Sequence, residues 1–296
     1  MKPARLHLVD GTYELFRAHF SKRPAHALPD GTDGKATLGV MASLLALLHD
    51  AGEAVTHVAV AFDNPIRSFR NRLFHGYKTE EGVPPELLAQ FNLVEAATRA
   101  LGVTVWSMMD FEADDALATG AAKFREGVTQ VRILTPDKDL GQCVKGTSVV
   151  QVDRRQETVT DEAALLARRG VLAESIPDLL ALIGDTADGI PGLAGFGEKG
   201  AAKVLQHYVH LEAIPPRGKA WAVQVRGAEK LAATLLAGRE EAWLYRTLAT
   251  LVEDAPLEGT DSLDSLRFGG VPRERFEAFC DRVGGMSIKR RPTRWA

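Results

Sequence analysis

Five short apolar runs constrain this chain more than any other feature: RLHLV (5–9), VAVAF (58–62), VTVW (103–106), VRIL (131–134) and SVVQV (148–152). Each is apolar at most positions, as expected of a strand covered on both faces. Between them lie segments with helical spacing. Residues 36–48 place Leu38, Met41, Leu44, Leu45 and Leu48 on one side, residues 84–101 read as a helix, and FEADDALATGAAKF starts another at Glu112. Strands joined through helices pair in parallel, so the expected fold class is α/β, a mostly parallel sheet with flanking helices. Beyond residue 160 the strand signal fades and helices dominate. The expected division is therefore 1–160 and 161–296, with IPPRGK (214–219) as a loop and the tail KRRPTRWA as a mobile end.

Ligands of open parallel sheets bind beyond the carboxyl ends of the strands. Asp10, Asp63, Asp137 and Asp139 stand at or just after such ends. Glu112 and Asp115 share a face at a helix start, with Asp114 beside them, and Asp185 and Asp188 are spaced to point the same way across a helical turn. Each acid alone has a plainer role as a cap, a turn residue or a solvated charge. Nine at one rim would repel one another unless cations compensated them. An all-oxygen donor set without histidine suits magnesium or manganese rather than zinc. A pair of such ions points to phosphodiester cleavage. His7, beside the first strand end, reads as a packing residue.

The stretch IGDTADGIPGLAGFGEKGAAKVL (183–205) joins the last two acids to a dense series of glycines and a helix start. Glycines let backbone approach a ligand closely, and amides at a helix start favour a phosphate. The plain alternative is a capped helix, a glycine-rich turn and a second helix.

Composition excludes several classes. With 45% hydrophobic and 25% charged residues the chain is an ordinary globular protein, and no apolar run approaches the roughly 20 residues of a membrane span. The first residues, MKPARLHLVDG, have too short an apolar run for a signal peptide. Two cysteines, Cys143 and Cys280, rule out a disulfide framework or a cysteine-rich zinc site and fit a reduced, cytoplasmic setting. The net charge of −3 runs against a nucleic-acid partner, although acids gathered at one metal site would leave the remaining surface more basic.

In order along the chain, LVDGT, AFD, FRNRLFHGYK, EADDALAT, TPDKDL and GDTADGIPGLAGFGEKGA together resemble the structure-specific 5′ nuclease family of bacterial 5′–3′ exonucleases and flap endonucleases. The resemblance covers most of residues 8–205. It implies a PIN-like core over 1–160, with an arch segment near 70–90, and a helical region over 161–296 containing a helix–three-turn–helix element near 183–205. It implies two divalent ions, magnesium or manganese, the first served by Asp10, Asp63, Glu112, Asp114 and Asp115 and the second by Asp137, Asp139, Asp185 and Asp188. It further implies Arg70 and Lys78 at the scissile phosphate and residues 77–88 in a helical arch around a 5′ single strand. DNA would meet Tyr77, Gly192, Gly195, Gly197 and Lys199, and a potassium ion would sit on the carbonyls of Gly192, Gly195 and Gly197. The partner would be branched or 5′-ended DNA in replication or repair, and the protein a monomer. No polymerase sequence follows, so a stand-alone form is expected.

Two departures stand out. After Tyr77-Lys78 the chain reads Thr79-Glu80-Glu81, placing two acids in the expected arch, and Gly189 follows Asp188 where the family commonly has asparagine. Two other readings compete: a PIN-type ribonuclease, and a non-catalytic junction-binding protein that keeps only the glycine-rich turn.

Overall fold

A computed structural model describes residues 4–296. In chain order it forms β1 (Arg5–Asp10), α1 (Gly11–His19), α2 (Lys35–His49), β2 (His57–Asp63) and the single turn α3 (Arg70–Leu73). Next come α4 (Pro85–Leu88), α5 (Phe91–Ala100), β3 (Thr104–Met108), α6 (Ala113–Phe124), β4 (Gln130–Leu134) and a 3-10 turn, Lys138–Cys143. The strands β5 (Val149–Asp153) and β6 (Thr158–Thr160) precede α7 (Glu162–Arg169), α8 (Ile176–Ile183) and α9 (Glu198–Tyr208). The chain ends with α10 (Ala228–Ala237), α11 (Arg239–Ala249), α12 (Arg273–Arg282) and α13 (Met286–Lys289).

These elements pack as two units. The first comprises the chain up to Arg67, Glu80–Thr135 and Glu253–Ala296. Its sheet is parallel, in the order β3-β2-β1-β4, and the register pairs Val9 with Val60 and Leu134. Leu6, Leu8, Val9, Val60, Phe62, Trp106 and Ile133 are buried, as their continuous apolar pattern requires. Each such side chain contributes about 1.5–3 kcal/mol on leaving water. The register also brings Asp10 and Asp63 to the same carboxyl edge.

The second unit comprises Ser68–Thr79 and Pro136–Val252. Its strands β5 and β6 are antiparallel. Its core gathers Leu179, Leu180, Leu182, Val204, Leu205 and Leu248 around α8, with Tyr77 buried among them. The division expected at residue 160 falls inside this unit. Residues 253–296 belong with the sheet instead, because Trp106 Nε1 donates to Thr260 Oγ1 at 2.9 Å and the Phe268 amide donates to the Thr56 carbonyl at 2.9 Å.

Three local expectations change. The helix expected over 84–101 breaks into α4 and α5, and the expected helical arch is irregular apart from the single turn α4. The tail is docked rather than mobile: the Val271 amide donates to Arg294 O, the Ala296 amide donates to Val271 O, and Trp295 lies edge-on to Phe276 beneath the Arg273 guanidinium. Among the described residues, no helix is long and apolar enough to cross a membrane.

Candidate active site

In the first unit, backbone amides hold the carboxylates. Asp10 ends β1 and caps α1, accepting from the Tyr13 amide at 2.8 Å and from Thr135 Oγ1 at 2.9 Å. Asp63 ends β2 and accepts from the Ala113 amide at 2.7 Å, while its own amide donates to Thr12 Oγ1. Glu112 and Asp115 form a capping box at the start of α6: each side chain accepts from the other's backbone amide. This satisfies amides that a helix start otherwise leaves bare. Asp10, Glu112 and Asp115 are buried, and Asp63 and Asp114 are half-buried. His7 is fully buried, with Nε2 at 2.9 Å from Glu53, which is the packing role expected of it. Burial lowers the His7 pKa.

In the second unit, lysine ammoniums reach Asp139, Asp185 and Asp188, while Asp137 and Asp185 also accept from backbone amides. Asp137 starts the 3-10 turn and accepts from the Asp139 amide at 2.9 Å. Lys138 Nζ donates to Asp185 Oδ2 and, at 3.3 Å, to Asp139 Oδ1. Lys78 Nζ pairs with Asp188 Oδ1 at 2.9 Å, and the Tyr77 hydroxyl donates to Asp188 Oδ2 at 3.3 Å. Burial, then the neighbouring Asp137, Asp188 and Asp185, push the Asp139 carboxyl up to about 7, with Lys138 opposing them. Burial alone would lower Lys138, but Asp139, Asp185 and Asp137 outweigh it and raise its pKa.

The nine acids expected at one rim are thus five on the first unit and four on the second. Among the described residues, no three or more Asp, Glu, His or Cys side chains stand close enough together to hold one ion. The donor chemistry still fits a hard cation. Every acid offers oxygen, and the Lys138 ammonium already occupies the space between Asp139 and Asp185 as a cation would. Lys138 carried no assigned role in the sequence, although its place between Asp137 and Asp139 in TPDKDL was the available signal.

Two residues of the basic segment are enclosed by the fold. Arg70, expected at the phosphate, is 1% exposed, and its Nε and Nη2 donate to the carbonyls of Leu248 and Thr250 at 2.8 and 2.9 Å. A helix C-terminus leaves carbonyls without partners, and α11 draws the guanidinium to its own. Tyr77, expected to meet DNA, is 3% exposed within the core of the second unit. Glu80 of the acidic departure is paired with Arg67 at 2.9 Å.

The glycine-rich stretch forms two helices joined by successive turns. Gly184 closes α8, Asp185 and Ile190 exchange backbone hydrogen bonds, and the Leu193 amide returns to Leu182 O. Gly189 explains the second departure. With φ +75°, it lies so close to Gly76 that a Cβ would meet the Gly76 carbonyl oxygen at 2.0 Å. A Cβ on Gly192 would strike the Gly184 amide nitrogen at 2.4 Å, so Gly192 shapes the turn itself. Around Gly197, which precedes α9, there is open space, and Lys199 is exposed in the first turn. The Gly197 carbonyl accepts from the Gly200 and Ala201 amides.

Comparison with known proteins agrees with this architecture. Residues 5–170 match the family model described as 5′-3′ exonuclease, N-terminal resolvase-like domain, and residues 171–273 match 5′-3′ exonuclease, C-terminal SAM fold. DNA polymerase I of Bacillus caldotenax is 34% identical over 96% of this chain and 32% of its own length. DNA polymerase I of Rhizobium leguminosarum is 35% identical over 87% of this chain and 25% of its own length. The chain therefore spans a quarter to a third of these relatives. Among solved structures, T5 5′-exonuclease with bound zinc ions aligns at TM-score 0.65 and 18% identity, covering 96% of this chain and 99% of that one. Human GEN1 in complex with Holliday junction DNA aligns at TM-score 0.60 and 13% identity, covering 95% and 68%. At those identities the likeness is one of fold.

Proposed function

Because this chain belongs to the 5′-3′ exonuclease family, we propose that it hydrolyses phosphodiester bonds at 5′ ends, flaps or branched junctions of DNA, in replication or repair. The observation that carries this reading is the linkage of Asp185 and Asp188, each held by a lysine, to a glycine-rich turn that opens a helix. A binding module would gain nothing from clustered negative charge beside DNA.

Asp10, Asp63, Glu112, Asp114 and Asp115 would hold one divalent ion, and Asp137, Asp139, Asp185 and Asp188 another, magnesium or manganese. Such ions polarise a phosphate and lower the pKa of a bound water. The remaining work falls to side chains. Lys78, neutralised by Asp188 in the resting protein, meets a phosphate oxygen when substrate arrives and stabilises the charge that builds there. Tyr77 fixes Asp188 through its hydroxyl, and Arg70 fixes the segment bearing Tyr77 and Lys78 by gripping the end of α11. These are positioning roles.

The turn from Gly192 to Gly197 and Lys199 would meet the duplex backbone, with a potassium ion on the Gly192, Gly195 and Gly197 carbonyls. The protein would act as a cytoplasmic monomer. Matched 5′-flap substrates of DNA and RNA, incubated with magnesium and with EDTA controls, test the reading. Metal-dependent release of the DNA flap is the expected result. Cleavage of RNA alone would make the protein a ribonuclease, and binding without cleavage would make it a junction-binding protein.

A further inference from the structure

A second basic group stands at the start of α9. Arg169, the last residue of α7, has a side chain only 10% exposed, and its Nε and Nη2 are buried without a partner among the described residues. Its Nη1 lies 3.8 Å from Glu198 Oε1 in the first turn of α9, beyond hydrogen-bond distance. Gly170 ends α7 in the left-handed conformation, and a Cβ there would lie 3.5 Å from that of Ala202, so the end of α7 rests against α9.

A buried guanidinium with unpaired donors is poorly compensated, and one exposed carboxylate at that distance relieves it only in part. Glu198 is 60% exposed and free to turn into solvent. The start of α9 has no side-chain cap, so its amides also favour an anion. Both features select the same ligand, and Nη1, the guanidinium nitrogen that faces the first turn of α9, is the donor a phosphate oxygen would meet.

We propose that Arg169 and the first turn of α9 together seat one backbone phosphate of duplex DNA, with Glu198 as the resident competitor that leaves when DNA docks. This rests on the reading that the adjoining turn engages duplex DNA, and it adds a built-in control of how tightly that turn grips.

The test is a double-mutant cycle on the full chain, using fluorescence anisotropy of a labelled 5′-flap duplex in EDTA. Glu198→Gln should tighten binding about threefold, and Arg169→Gln should weaken it about tenfold and reduce the salt slope by about one. On the Arg169→Gln background, Glu198→Gln should gain less than about 1.5-fold, because the residue it competes for is gone. An equal gain on both backgrounds overturns the proposal, since Glu198 would then act only through its bulk charge. Circular dichroism checks folding. If Arg169→Gln unfolds, Arg169→Met takes its place, where an undiminished gain from Glu198→Gln is equally fatal. A wild-type protein that binds no duplex overturns both this proposal and the DNA reading beneath it. Duplex binding without coupling removes Arg169 and leaves that reading standing.

Discussion

The two units neutralise their carboxylates by different mixtures of groups: in the second, lysines add to the amides from which Asp137 and Asp185 accept. In the first, Asp10, Asp63, Glu112 and Asp115 accept from backbone amides at helix starts, so the groups proposed to hold an ion also hold the fold. In the second, Asp185 and Asp188 accept from the long side chains of Lys138 and Lys78, and Asp139 stays charge-crowded enough for its pKa to rise to about 7. Amides are fixed by the helix they begin, whereas an ammonium on a flexible stem can be displaced. The comparison separates function from stability. An amide-held acid should carry both, and Asp139, held by a lysine, should carry function alone.

The largest effect expected from this contrast is on cleavage. Asp139→Asn should reduce flap cleavage about a thousandfold, the scale of removing a group that acts on transition-state charge. Its thermal midpoint should not fall, because one of several mutually repelling carboxylates is gone. Single-turnover rates and thermal melts of the same preparation decide it. A clear loss of stability would erase the distinction between the units.

Arg70 sharpens the contrast from the basic side. Arg70→Met leaves the Leu248 and Thr250 carbonyls without their partner, and urea unfolding should show a loss of about 3 kcal/mol. A variant with unchanged stability but a slower chemical step would return Arg70 to the phosphate, where the sequence first put it.

A smaller effect is expected at the helix caps. Asp115→Ala removes the acceptor for the Glu112 amide and should cost about 1 kcal/mol of stability on top of its loss of cleavage. Equal unfolding midpoints for Asp115→Ala and Asp139→Ala would contradict amide-held acids as structural parts.

The smallest effect concerns an acid held by neither means. Glu53 is paired with His7 and Arg132; the His7 hydrogen bond, then Arg132, overcome burial and lower its pKa to about 2. A depressed carboxyl contributes stability that is present above its unfolded value of 4.5 and is lost as pH falls towards 2. The difference in thermal midpoint between wild type and Glu53→Gln should therefore be largest above pH 4.5 and close on acidification. A gap that stays constant to pH 2 would assign Glu53 to packing rather than charge.

Much of this molecule was legible in the residues themselves. Apolar runs ending in Asp10 and Asp63 specify buried parallel strands because burial on both faces demands continuous apolar sequence. Glu112 and Asp115 announce the start of α6 because a cap is a contact across three residues. Gly192 fits its turn for a reason equally local, the close return of the chain on Gly184. The tertiary structure decided what depends on residues far apart. It buried Arg70 because the carbonyls that draw it in belong to Leu248 and Thr250, and it drew Tyr77 into a core built from α8, α9 and α11. It docked a tail whose basic composition reads as free, because Trp295 finds Phe276 and Arg273. It set Lys138 between Asp139 and Asp185, adding a counter-charge from the chain itself to acids of the second unit. Local spacing dictates where an acid stands along the chain, but its counter-charge arrives from another element, and only folding supplies that.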